Sequence, residues 1–166
     1  MKIILRLVLL AAFIAAGIWL WAILFPSPEQ VVRKRLVQAA AEASFNSGEN
    51  PLVIAARSET LAGYFSTNVE IHINAPEYER PLELFGRDEI TQVAAGVRLH
   101  LSSLKVEFPD VSVTVAPDKL SAVADVAVKV QAAGQKDFDV QEMKFTFQKI
   151  GGDWLITRVE TVRAPS

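Results

Sequence analysis

The chain carries two imidazoles, His72 and His100, the side chains whose ordinary titration falls near neutral pH. His72 lies in Asn68-Val69-Glu70-Ile71-His72-Ile73-Asn74, where apolar and polar residues alternate in period two. That spacing puts Glu70, His72 and Asn74 on one strand face and Val69, Ile71 and Ile73 on the other. A carboxylate two residues from an imidazole on one face could form a proton-transfer pair. The same alternation normally buries the apolar trio and leaves the polar trio in water, and this is the reading the pattern favours. Asp125 is a third candidate, set among Ala122, Val123, Ala124, Val126 and Ala127. Its alternation with Val126 and Val128 predicts an exposed cross-strand ion pair. His100 falls at the end of a helical stretch, where capping or exposure is the common fate. Beyond the candidates His72, Glu70 and Asp125, the sequence assigns no catalytic residue.

Other chemistries find no support. His-x-Glu, His-x-His and His-Glu-x-x-His spacings are absent, so no metal site is expected. Without a glycine-rich phosphate loop or a serine elbow, no cofactor is expected either. The chain has no cysteine, which forbids disulfides and thiolate zinc sites and suits an oxidising compartment. It has 17 basic and 19 acidic residues. Setting aside Lys2 and Arg6, which precede an apolar run, leaves 15 against 19, a net of −4. That balance offers no general field for nucleic acid.

The elements that must position these residues are legible. Ser27-Pro28-Glu29-Gln30 predicts a helix start with a reciprocal capping box, and Val32, Leu36, Ala39, Ala40 and Ala43 follow at helical spacing. Asn46-Ser47-Gly48 closes that helix, and Asn50-Pro51 opens a second, expected to reach about Phe65. Residues 75–81 contain Pro76 and Pro81 and read as a loop. A third helix begins near Arg87-Asp88-Glu89, with Ile90, Val93, Ala94, Val97 and Leu101 as its stripe. Four β segments follow, at 104–115, 120–132, 137–149 and 154–163, separated by turn sequences that imply an antiparallel meander. A switch of apolar face between Phe138/Val140 and Met143/Phe145 predicts a bulge.

Residues 7–25 contain no charge and end at Pro26-Ser27-Pro28. At 1.5 Å per residue they would cover ~28 Å as a helix, close to the hydrocarbon thickness of a bilayer. Small residues lie in mid-run and are followed by Ile18, Trp19, Leu20 and Trp21, which argues against a cleavage site and for an uncleaved anchor. The expected organisation is therefore a transmembrane signal anchor at 1–26 and one α+β domain at 27–166. Lys2 and Arg6 place the N-terminus inside, although Arg33-Lys34-Arg35 balances the charge tally on the other side. In a bacterium this makes the protein single-pass in the inner membrane with a periplasmic domain. Only Pro26-Ser27 separates the run from the first helix, so the domain must sit against the bilayer.

The order helix, helix, short strand, helix, then a long antiparallel meander resembles the nuclear transport factor 2-like superfamily, especially its polyketide-cyclase-like (SnoaL-like) branch. The resemblance rests on Tyr64-Phe65-Ser66-Thr67-Asn68-Val69-Glu70-Ile71-His72, Phe85-Gly86-Arg87-Asp88-Glu89-Ile90, Phe108-Pro109-Asp110-Val111 and Gly151-Gly152-Asp153-Trp154-Leu155-Ile156. It covers about residues 29–163 and implies a cone of three helices on a curved antiparallel sheet. Physically, Gly86 suits a strand-to-helix corner that other residues avoid, and Trp154 suits a core cover. Enzymes of this fold keep acid–base residues inside the cone. Ketosteroid-isomerase-like members use a tyrosine donor, but Tyr64 and Tyr78 sit in no matching motif. The resemblance implies no single activity, since the fold hosts isomerases, dehydratases, adaptors and secretion-machine subunits. The expectation is a membrane-tethered noncatalytic binding or assembly domain, with an envelope protein, a homodimer through the sheet face or a small apolar ligand as partner. The alternatives are a lyase or isomerase using an acid–base pair in the cone, and a subunit of a secretion or conjugation apparatus.

Overall fold

The computed structural model describes residues 2–24, 26–74, 81–134 and 138–162. Helices α1 (Lys2–Leu24), α2 (Pro28–Ala43) and α3 (Pro51–Ala62) come first. Strands β1 (Phe65–Ile73) and β2 (Leu82–Phe85), helix α4 (Arg87–His100) and strands β3 (Leu104–Val115), β4 (Ser121–Ala132), β5 (Asp139–Ile150) and β6 (Asp153–Thr161) complete the order.

The helix starts follow their local chemistry. The Ser27 hydroxyl accepts from the Gln30 N–H at 3.4 Å, and the Gln30 side chain accepts from the Ser27 N–H at 3.3 Å, so the expected capping box forms. The Asn50 side chain accepts from the Val53 N–H at 3.0 Å, with Pro51 in the first turn where its missing donor costs nothing. Gly86 turns β2 into α4 at φ +84°, and a Cβ there would lie 3.3 Å from the Thr67 carbonyl oxygen. Both conditions favour glycine.

The six strands form one sheet in the order β2-β1-β6-β5-β4-β3. The meander β3 to β6 is antiparallel throughout, and β1 joins it in parallel alongside β6. The structure adds one strand and corrects two sequence expectations. The sequence assigns no strand between the loop expected at 75–81 and the third helix, and β2 fills that interval at the sheet edge; residues 75–80 of the loop lie outside the described residues. The second helix stops at Ala62, three residues before Phe65, because the chain turns at Gly63 to enter β1. The bulge expected near 140–143 is absent from the β4–β5 pair, whose register runs without interruption from Ser121↔Gln148 to Val130↔Asp139. Instead Val140 stays exposed opposite Lys129, and the irregularities fall at Phe108-Pro109 in β3 and between Thr146 and Phe147 against β6. Pro109 has no N–H to donate, so a bulge on an edge strand accommodates it.

One face of the sheet carries the core. Val69, Ile71, Val126, Phe145, Phe147, Ile156 and Val159 are buried against Val32 and Leu36 of α2, Ala62 of α3 and Ile90 of α4. Burying a side chain such as Phe147 or Leu36 stabilises the fold by roughly 1.5–3 kcal/mol. Trp154 is also buried, covering the core at the start of β6.

Helix α1 stands apart in its surface. Its described side chains, at 8 and 10–20, are all exposed, Phe13 most of all at 82%. Among the described residues no helix is long and apolar enough to cross a membrane. Residues 10–20 account for roughly 16 Å of helix, about half a hydrocarbon core. The full span expected over residues 7–25 is therefore not shown; Trp21 and Phe25, two of its far-end residues, lie outside the described side chains.

Candidate functional site

His72 and Glu70 do come together, but on the face of β1 away from the core. His72 Nε2 lies 3.8 Å from Glu70 Oε2, and Nδ1 lies 3.6 Å from Glu83 Oε1 on β2. The ring packs edge-on against Phe85 at 5.7 Å. Glu70 is also held by Arg158 Nη1 at 3.0 Å, and Arg158 Nε donates to Glu160 at 3.1 Å. The register explains the cluster: His72 pairs with Glu83 on one side and Glu160 on the other, while Glu70 pairs with Arg158. The Glu70 carboxylate is thus already engaged by the Arg158 guanidinium, and the group reads as an ion-pair cluster on the sheet surface.

The same row continues across the sheet. Glu160 pairs with Lys144, Lys144 with Asp125, and Asp125 with Ser112. Glu83, His72, Glu160, Lys144, Asp125 and Ser112 thus form one line over all six strands, with Lys144 between two carboxylates. Asp125 is exposed and shares this face with His72 while lying three strands away from it. The three candidates named from sequence share a face, and two of them meet.

Inside the cone the lining is apolar. A cleft of ≈ 160 Å³ lies among Phe45, Leu61, Leu84, Ile90, Val93 and Val97, with Arg98 at one side. Arg98 is a residue the sequence reading missed. Its Nη1 donates to Glu49 at 3.0 Å, Nη2 donates to the Glu42 carbonyl, and its guanidinium lies 5.0 Å above the Phe45 ring. Its side chain is 2% exposed. Position 98 is four residues beyond Ala94 on the apolar stripe of α4, which was the available signal for burial. Beyond Phe45 opens a polar groove of ≈ 720 Å³ lined by 44–49, 103–105, 131–134 and Arg57. Two further polar side chains are buried, Ser58 and Ser66, and the Ser58 hydroxyl has no hydrogen-bond partner among the described residues. No group of three or more His, Asp or Glu suited to a metal occurs among the described residues.

The remaining candidates are structural. His100 Nδ1 contacts the Gly96 carbonyl oxygen at 2.8 Å on the surface of α4. Tyr64 is half-buried under the Arg35 guanidinium, 5.7 Å from its ring centroid. Tyr78 lies outside the described residues.

No family profile and no curated protein matches the chain. Solved structures do match. A protein from Novosphingobium aromaticivorans provisionally assigned as an aromatic ring hydroxylase is similar at TM-score 0.63 and 11% identity, over 83% of this chain and 90% of that one. A provisionally assigned scytalone dehydratase from the same organism gives 0.57 and 14%, over 81% and 83%. An NTF2-like protein of unknown function from Pseudomonas putida gives 0.59 and 10%, over 82% and 86%. At these identities the likeness shows the fold: the domain is NTF2-like, with the α+β architecture that the sequence resemblance implies.

Proposed function

We propose that this chain is a membrane-tethered, noncatalytic binding or assembly domain of the bacterial cell envelope. One observation carries the reading: the cone is lined by hydrophobic side chains, while His72, Glu70 and Asp125 occupy the opposite, solvent-facing side of the sheet. Proton transfer inside a cone needs ionisable groups aimed into it. The apolar cleft of ≈ 160 Å³ is smaller than the roughly 300–1,000 Å³ of ordinary small-molecule sites, and the ≈ 720 Å³ groove beyond Phe45 contains none of His72, Glu70 and Asp125. A protein partner or a second copy of the chain suits this surface better than a sizeable substrate. The charged row from Glu83 to Asp125, with neighbours such as Thr114, Val123 and Thr146, gives a solvent-facing surface for such an interface.

The tether is supported by the charge-free run at 7–25, by the helix Lys2–Leu24 around it and by the exposure of its described apolar side chains. The N-terminus lies inside and the domain in the periplasm.

Since the chain lacks cysteine, Thr146→Cys introduces a single crosslinking site on the sheet face. Oxidation of the full chain in native membranes is expected to give a dimer, or a discrete adduct with an envelope protein. A strict monomer by light scattering in mild detergent, with no crosslinked species and no partner on pulldown, defeats the binding reading. A reporter fused after Ser166 that is active only in the cytoplasm defeats the localisation.

A further inference from the structure

The end of the domain next to α1 carries a surface that the sheet-face interface does not use. Ser27 is three residues on from Leu24, so α1 ends within about 11 Å of the α2 cap. At the other end of α2, the Ser44 hydroxyl accepts from the Val106 N–H at 3.0 Å, near the start of β3. Helix α2 therefore begins beside the far end of β3, where the chain turns into β4. Hydrogen bonds at the helix start, from its own backbone and from Ser27, hold the Glu29 carboxyl below its ordinary pKa, with the charge of Lys119 in that turn a minor addition. The Leu120 carbonyl in turn accepts from the Lys149 N–H at 2.8 Å, and Arg35 reaches Asp153, the first residue of β6 after the β5–β6 turn, at 2.7 Å. One end of the domain thus gathers the start of α2 and both turns.

Its composition is that of an interfacial surface. Leu120 is 56% exposed and Ile150 45% exposed, with no core role to explain them. Lys119 and Lys149 are exposed immediately before them in sequence, Arg33 and Lys34 are exposed on the first half of α2, and the carboxylates at this end are Glu29, Asp118 and Asp153, the last held by Arg35. Exposed aliphatic side chains with a surplus of cations on the same end match a headgroup layer: the chains enter the apolar boundary and the cations meet phosphate. A short tether holds such a face at high effective concentration against the bilayer, so each contact needs little intrinsic affinity.

We propose that this end of the domain docks on an anionic phospholipid surface, with Leu120 and Ile150 entering the interface and Lys119, Lys149, Arg33 and Lys34 engaging headgroups. The proposal rests on the tethered reading above. It fixes the domain's pose, with the sheet edge-on to the bilayer and its charged face open to a partner.

The test uses the full chain with single cysteines in place of Leu120, Ile150 and, as a reference at the C-terminal end of α4, Leu99, which is 67% exposed. Each carries an environment-sensitive fluorophore, and the protein is reconstituted in phosphatidylcholine vesicles with or without phosphatidylglycerol. Labels at 120 and 150 are expected to shift to the blue in phosphatidylglycerol vesicles while the label at 99 stays aqueous. K119Q and K149Q should each lower the docked-to-free ratio about fivefold, the factor that ~1 kcal/mol per cation corresponds to. If the chain floats with vesicles but labels at 120 and 150 match that at 99, docking is overturned and the tether stands. If the chain fails to float with vesicles at all, the tether itself is overturned.

Discussion

His72 and Glu83 face each other across the β1–β2 pair, with the imidazole Nδ1 3.6 Å from the carboxylate Oε1. Glu70 meets the other ring nitrogen from the same strand. The imidazole therefore bridges the short strand β2 to its sheet neighbour β1, and its role is to hold that edge. Because these groups are between a third and a little over half exposed, the contact is worth at most about 1 kcal/mol. His72→Ala is expected to leave global stability within that range. It should speed hydrogen exchange at the Gly86 N–H, which closes the β2 end by donating to Val69 at 2.8 Å. Unchanged exchange at Gly86 would remove the bridging role.

Arg98 and Glu49 yield an asymmetric prediction. The Arg98 side chain is 2% exposed and Glu49 is 17% exposed, with Arg57 a second cation 3.5 Å from Glu49. Removing Glu49 strands a buried charge, so Glu49→Ala should cost about 3 kcal/mol. Arg98→Met leaves Glu49 its contact with Arg57 and with water, and mainly orphans the Glu42 carbonyl, for about 1–2 kcal/mol. Urea denaturation of both variants checks the order. Equal or reversed costs would mean that solvent reaches Arg98 in solution.

The Ser27 capping box joins the apolar run to the domain, so its loss has a local signature. Ser27→Ala should cost about 1 kcal/mol and fray the first turn of α2. Exchange at the Gln30 N–H, which the Ser27 hydroxyl accepts, is the direct readout. Ser27→Asp should restore the cap, because its carboxylate both accepts that N–H and suits the positive end of the helix.

Much of this architecture was legible because the rules involved are local. Ser27 with Gln30 and Asn50 with Pro51 announced two helix starts, and period two in Val69, Ile71 and His72 separated the core face from the wet one. Strand β2 was not legible: it is four residues long, follows a proline and is a strand only because β1 lies beside it. Arg98 was missed for a related reason. Its partners, Glu42, Glu49 and Phe45, belong to elements far away in sequence, and no periodicity reveals that a guanidinium on an apolar stripe will find them. The site was legible only in part: alternation put His72 and Glu70 together, but the line they make with Lys144 and Asp125 depends on the order of strands in the sheet.

Glu107 supplies a pH-dependent prediction with a definite sign. Its carboxylate lies 2.7 Å from Lys105 Nζ and 3.7 Å from Lys129 Nζ, just before the β3 bulge. The hydrogen bond from Lys105, with the charges of both lysines, holds its pKa below the ordinary value of 4.5. A lowered folded-state pKa means that the unfolded chain takes up the proton first as pH falls. The stabilisation is therefore fully present above the ordinary glutamate value and disappears as pH drops through the lowered one. Lys129 also lies 3.5 Å above the Phe138 ring centroid, so part of the cluster persists without Glu107. Glu107→Gln should consequently reduce the denaturation midpoint slightly at pH 7, and its curve should meet that of the unmodified chain on the acid side. Lys105→Met should shift the same limb in the same direction. Parallel curves for Glu107→Gln and the unmodified chain down to the acid limit would show that Lys105 does not hold Glu107 in solution.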